Sequence, residues 1–167
     1  AAMAHHRRGG FVALNVGLTY GKGHRVPSRI DNSDHNPLLA RLLANRDIER
    51  MATFASAAFG IWAPTLYKYY KKYDGALHAH LPHLQPNFAK SIFSCATFNF
   101  GPNVWTFKHR DVMNLPFGMC AVQALGEFDP TQGGHLVLWD LKLIIEFPPG
   151  ALILLPSATM SHSNVPV

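Results

Sequence analysis

His109-Arg110-Asp111 is the stretch whose residue types and spacing can do chemistry, together with His162, 51 residues beyond Asp111. Two imidazoles and one carboxylate are the donor set of a non-haem Fe(II) centre with open coordination positions. In a strand or tight bend, residues i and i+2 point the same way. His109 and Asp111 can therefore face one ion while Arg110 turns away. His162 must return to the same spot, which a rolled-up β-sheet arranges. The tripeptide also occurs in the catalytic loop of protein kinases, but that loop needs an Asn five residues after its Asp. Pro116 stands there, and no Gly-rich loop, Val-Ala-Ile-Lys or Asp-Phe-Gly is present. Short motifs match by chance often, so the elements around the triplet must carry the weight.

The chain has 167 residues, enough for one domain with a proper core and hardly enough for two. Hydrophobic residues make up 48% and charged ones 15%, a globular balance and not a disordered one. No run of about 18 apolar residues is present, which argues against a membrane span. Residues 1–10, with His5 and His6, lack the apolar core of a signal peptide. An intracellular protein is expected, nuclear or cytoplasmic. Cys95 and Cys120 each sit in an apolar, strand-like run and read as two buried free thiols, with one disulfide between them as the alternative. Net charge is +5, unevenly spread: residues 1–72 hold 11 Lys and Arg against 4 Asp and Glu, and residues 73–167 hold 4 against 6. A basic half can attract nucleic acid; a solvated basic surface is the plainer account.

Three regions follow in order. Residues 1–35 read as an extension with one short strand, 11–20, between Gly9-Gly10 and Gly21-Lys22-Gly23. Residues 24–35 read as irregular, ending in Asn32-Ser33-Asp34-His35-Asn36-Pro37, a helix entry. Residues 36–90 are the helical part. Leu38, Leu39, Leu42 and Leu43 keep helical spacing, and Asn45-Arg46-Asp47 marks a break and a new cap. Ile48, Met51, Phe54, Ala55, Ala58, Phe59 and Trp62 continue the period, and Pro64 restarts it. Leu66, Tyr67, Tyr70 and Tyr73 then lie on or near one face, with Lys68, Lys71 and Lys72 on a basic side. Tyrosines among lysines can stack on bases and hold phosphates, or simply pack and be solvated. His78, His80 and His83 form a cluster that reads as a polar helix end and loop ahead of a metal site, because Pro82 and Pro86 break regular structure.

Residues 91–167 change character. Strands are expected over 91–100, 104–109, 117–125, 135–141, 142–147 and 151–155, the pair 135–147 being readable also as one long bent strand. Gly101-Pro102-Asn103, the loop 128–134 and Pro148-Pro149-Gly150 turn the chain. Short strands after a helical block predict a single α+β domain whose C-terminal half is a sandwich or barrel.

Phe107-Lys108-His109-Arg110-Asp111, Gly133-Gly134-His135-Leu136, Phe147-Pro148-Pro149-Gly150 and Leu154-Leu155-Pro156-Ser157 through His162 resemble, in order and spacing, the core of Fe(II)/2-oxoglutarate dioxygenases. The resemblance implies a double-stranded β-helix, or jelly roll, packed with the N-terminal helical segment. It implies Fe(II) on His109, Asp111 and His162, with 2-oxoglutarate as a small-molecule co-substrate. His109-Arg110-Asp111-Val112-Met113-Asn114 is similar to the His-Arg-Asp-x-x-Asn of the TET/JBP branch, which oxidises methyl groups of thymine or 5-methylcytosine. That likeness gives Asn114 the role of contacting the target base. From about residue 11 to 167, including Pro64-Thr65-Leu66-Tyr67 and Ala96-Thr97-Phe98-Asn99-Phe100-Gly101-Pro102, the chain also resembles a set of mushroom-type fungal proteins read as sharing this fold.

The superfamily binds the far carboxylate of 2-oxoglutarate with an Arg or Lys about ten or more residues past the distal His. Val167 is five residues past His162, and no residue of the sequence matches that anchor or the last core strand. The expectation is a truncated chain, or one that does not use 2-oxoglutarate in the usual way. Arg110 does not substitute, since i+1 points away from the metal face. Three functions stand on these residues: an oxygenase of a methylated nucleobase, an oxygenase of a small molecule or protein side chain, and a catalytically silent metal-binding interaction protein. Ser157, Thr159 and Ser161 either line a pocket or are ordinary strand hydroxyls. His135 is expected near the surface or behind the ligands.

Overall fold

A computed structural model describes residues 9–21 and 23–167. His5, His6 and Lys22 lie outside the described residues. The protein is a mixed α and β chain with antiparallel sheets, as the sequence predicts at that level. It divides into two compact units, Leu14–Phe98 and Ala1–Ala13 with Asn99–Val167.

The first of these units holds the helices. β1 (Val12–Gly21) and β2 (His24–Arg29) make an antiparallel hairpin, and β3 (Cys95–Phe100) flanks β1 on its other side. β2 corrects the irregular segment expected at 24–35. It hides because it is basic and contains Pro27, which an edge strand tolerates. α1 (Asn36–Leu43) has Pro at its first turn and buries Leu39. α2 (Arg46–Trp62) starts at Asn45, whose side chain accepts from the N–H groups of Asp47 and Ile48, the cap that its sequence announces. α3 (Pro64–His80) restarts at Pro64.

The buried stripe of α2 is Ala55, Ser56 and Phe59. Phe54 and Trp62, expected on the buried face, are 61% and 82% exposed. Ser56 is a core position that hydropathy alone cannot see, its Oγ accepting the N–H of Ile92 (2.9 Å). Phe59 is fully buried, with Tyr67 and Tyr70 edge-on to its ring and Phe93 stacked on it. Tyr73, in contrast, lies at the surface beside Tyr69. Cys95 and Cys120 are free thiols, but Cys95 is exposed, which corrects the buried placement.

The other unit holds two sheets. β4 (Thr106–His109), β6 (Leu136–Leu138), β7 (Leu143–Ile145) and β9 (His162–Asn164) form one, in the order β4-β9-β6-β7. β5 (Cys120–Gln123) and β8 (Leu152–Leu155) form the other. Leu136, Leu138, Phe147 and Leu155 are its core, with Val122, Ile145, Ile153 and Met160 packed against them. Burial of each such side chain contributes roughly 1.5–3 kcal/mol, so this core draws the two sheets together. Residues 135–147 are not a bent strand. A 3-10 turn, Trp139–Leu141, and Lys142 at φ 55° fold them into the antiparallel pair β6 and β7. No barrel is closed by the described strands.

Candidate metal centre

His109 ends β4 and His162 begins β9, and the two are register partners. Between the pairs Thr106↔Asn164 and His109↔His162 the register shifts by one residue. Three steps along β4 are thus matched by two along β9, a bulge that re-aims the strand end. Without it Lys108 would stand opposite His162. The far end of the pairing is fixed by Asn164, whose Oδ1 accepts both the N–H (2.8 Å) and the hydroxyl (2.9 Å) of Thr106.

Each imidazole is oriented by a carbonyl two residues before it. The Nδ1 of His109 lies 2.7 Å from Phe107 O, and the Nδ1 of His162 lies 2.9 Å from Met160 O. A carbonyl only accepts, so in its neutral form each ring carries its proton on Nδ1 and leaves Nε2 as the ligating nitrogen. Both Nε2 atoms face Asp111, that of His109 at 3.8 Å from Oδ1 and that of His162 at 3.8 Å from Oδ2. The ring centroids are 4.3 Å apart. Asp111 sits on the turn that follows β4: its N–H donates to Ser157 O (2.9 Å), and its own carbonyl accepts from Asn114 N–H (2.8 Å).

One ligand atom from each of the three lies within 4.8 Å of the others. His162 is buried and the other two are half-buried. Two imidazole lone pairs and a carboxylate converging in a shielded spot make a local concentration of negative potential that a cation relieves. The donor set and its tautomers fit a divalent transition metal. Among the described residues this is the one such group. His78 and His80 instead close α3, with His78 Nδ1 on Leu84 O and its Nε2 3.5 Å from Asp74, as the helix-end reading of that cluster expects. Compared with protein-family models and with curated proteins, the chain gives no match.

Asn114 is exposed, three residues beyond Asp111, and its carboxamide donates to Ser157 Oγ (2.9 Å). Ser157, almost wholly buried, therefore holds the turn twice, through its carbonyl to Asp111 and its hydroxyl to Asn114. Thr159 points its hydroxyl back to Pro156 O. His135 takes no part with the three ligands; its carbonyl accepts from Val165 N–H. Arg110 is turned from the ligands, with Nε on Ser161 Oγ (2.9 Å) and Nη2 3.4 Å from Asp140. Lys108 lies over the Trp139 ring at 4.8 Å. Sequence reasoning missed Asp140 altogether; it lies in the 3-10 turn after β6, and nothing local in the sequence marks it.

Proposed function

We propose that this chain is a mononuclear, O₂-dependent oxygenase that holds Fe(II) on His109, Asp111 and His162 and acts on a methylated nucleobase. The convergence of the three donors, with each histidine Nδ1 against a backbone carbonyl and each Nε2 toward Asp111, is the observation that carries it. The strand order β4-β9-β6-β7 beside the β5-β8 pair supports the double-stranded β-helix: it brings the strand of the distal His back between the strand of the His-x-Asp and the strand after Gly133-Gly134. When bound, the metal supplies the oxygen chemistry and the protein supplies orientation and exclusion of side reactions. Asp111 gives the charge, Phe107 O and Met160 O hold the imidazoles, and Ser157 keeps the ligand turn in place.

Two features support a nucleic-acid substrate. Asn114, once one N–H is given to Ser157, keeps a donor and an acceptor on one carboxamide, the pairing that reads a base edge. The outer side of α3 presents Lys68, Lys71 and Lys72 with Tyr69 and Tyr73, whose rings are 4.5 Å apart. Asp74, the one acid in α3, is bonded instead to Ser94 Oγ. Such a surface suits a single strand with accessible bases, and a target base within a duplex would be flipped out.

A second reading, a metal-binding protein without 2-oxoglutarate turnover, is favoured by one observation. Arg110 and Lys108, the basic residues next to the ligands in sequence, are both directed away from them. The deciding experiment supplies Fe(II), 2-oxoglutarate, ascorbate and a 5-methylcytosine oligonucleotide, then measures succinate and the gain of one oxygen atom on the base. Both products uphold the oxygenase. Succinate with an unchanged base moves the substrate to a small molecule or protein side chain. Stoichiometric metal with no succinate selects the silent metal-binding protein.

A further inference from the structure

We propose that Arg110, Asp140 and Ser161 form a clamp on the reverse side of β4 and β9 that sets the spacing of the three ligands. This rests on the metal reading of His109, Asp111 and His162. Arg110 stands between two ligands in sequence, and Ser161 directly precedes the third. Arg110 Nε donates to Ser161 Oγ at 2.9 Å. Its Nη2 lies 3.4 Å from both oxygens of Asp140. Asp140 Oδ2 in turn accepts the Ser161 N–H at 2.6 Å, and Ser161 O accepts the N–H of Trp139 at 3.0 Å.

Every polar group of Ser161 is thereby engaged, and the residue is 6% exposed. Its partners come from two elements, the end of the His-x-Asp strand and the 3-10 turn after β6. A shift of Ser161 is passed to His162 through one peptide bond. A shift of Arg110 is passed to His109 and Asp111 in the same way. The three-cornered bonding thus fixes one half of the metal face against the other. It also explains an arginine placed where the strand alternation keeps it off the metal.

The clamp is poorly suited to hold the fold itself. The Arg110 and Asp140 side chains are 48% and 43% exposed, and half-exposed ion pairs contribute little to folding. Metal affinity is far more sensitive, since loss of a partner that orients a ligand typically costs 10–100-fold. Arg110 and Asp140 are accordingly positioning residues.

The test is a titration of Mn(II) and of Co(II) into the full chain and into Arg110→Ala, Asp140→Ala, the double variant and Asp140→Asn. Each alanine variant should weaken Mn(II) binding by roughly 10–100-fold and alter the visible spectrum of bound Co(II). The double variant should be no weaker than the worse single one, because both act through one network. Asp140→Asn keeps an acceptor for Ser161 N–H and should recover most of the affinity. Melting of the metal-free proteins should change little. Wild-type binding with unchanged affinity and spectrum in both alanine variants overturns the clamp alone. Affinity lost in step with melting temperature, with an unaltered Co(II) spectrum, reduces the network to structural support and also overturns it. Absence of Mn(II) and Co(II) binding by the wild type removes the metal reading, and the clamp falls with it.

Discussion

His109 and His162 stand opposite each other across β4 and β9, their rings 4.3 Å apart and both Nε2 atoms turned to Asp111. The pairing makes the two rings one site and not two. His162→Ala or His109→Ala should therefore each abolish stoichiometric binding of Mn(II), a loss beyond the roughly 100-fold that follows removal of an orienting partner. Isothermal titration and metal analysis after gel filtration measure it. Unchanged metal content in both variants would remove the site.

Asn114 separates a base contact from a structural tie. Asn114→Ala should leave Mn(II) binding within about threefold of wild type, since inner ligands are untouched, and weaken a methylated oligonucleotide by about 1–3 kcal/mol. Fluorescence anisotropy reads the second quantity. Equal loss of metal would show that its bond to Ser157 is what matters.

The carboxyl of Asp140 is held below the ordinary carboxylate range, first by the N–H of Ser161 and also by the charge of Arg110. A depressed folded-state value means that ionised Asp140 favours the fold above its unfolded value, near 4. The contribution is lost as pH falls through the lower folded-state value. The melting-temperature difference between wild type and Asp140→Asn, small because the pair is half-exposed, should hold steady above about pH 5 and vanish below about pH 4. Calorimetry from pH 3 to 6 decides; a difference that widens in acid would contradict the assignment.

Phe59 is the centre of an aromatic cluster with Tyr67, Tyr70 and Phe93. Phe59→Ala should destabilise its unit by about 3–5 kcal/mol, read by urea unfolding. A cost under about 1 kcal/mol would mean that the cluster collapses into the space left behind.

Gly133 and Gly134 allow the last residues to lie against the start of β6. A Cβ on Gly133 would meet Pro166 O, and Gly134 has φ +73° with its N–H donating to Pro166 O. Gly133→Ala should lower the melting temperature by several degrees, the consequence of about 1–2 kcal/mol in a domain of this size. An unchanged melting curve would show that the terminal segment gives way freely.

The parts legible in the sequence were those with local chemical causes. Asn45 and Pro64 announce helix starts because capping and proline geometry act within one turn. His109, Asp111 and His162 were legible as donors because their types and order suffice. What escaped depends on distant partners. β2 forms because β1 offers it hydrogen bonds, against the testimony of Pro27 and three basic residues. Lys142 adopts a left-handed turn that no glycine signals. The one-residue bulge before His109 exists only relative to β9. Trp62 completes a helical period yet faces water, because periodicity identifies a stripe and not what covers it.

Two of the edge strands, β2 and β7, treat neighbouring molecules differently. β2 is guarded along its length by His24, Arg25, Pro27 and Arg29. β7 is Leu143-Ile144-Ile145, with Leu143 and Ile144 exposed and charge only at its flanks, Lys142 and Glu146. An apolar edge with outward backbone groups is a template for another chain, and flanking charges are what hold such templates apart. The guard on this edge thus rests on two side chains, and neutralising Lys142 and Glu146 together would turn the edge into a sticky one.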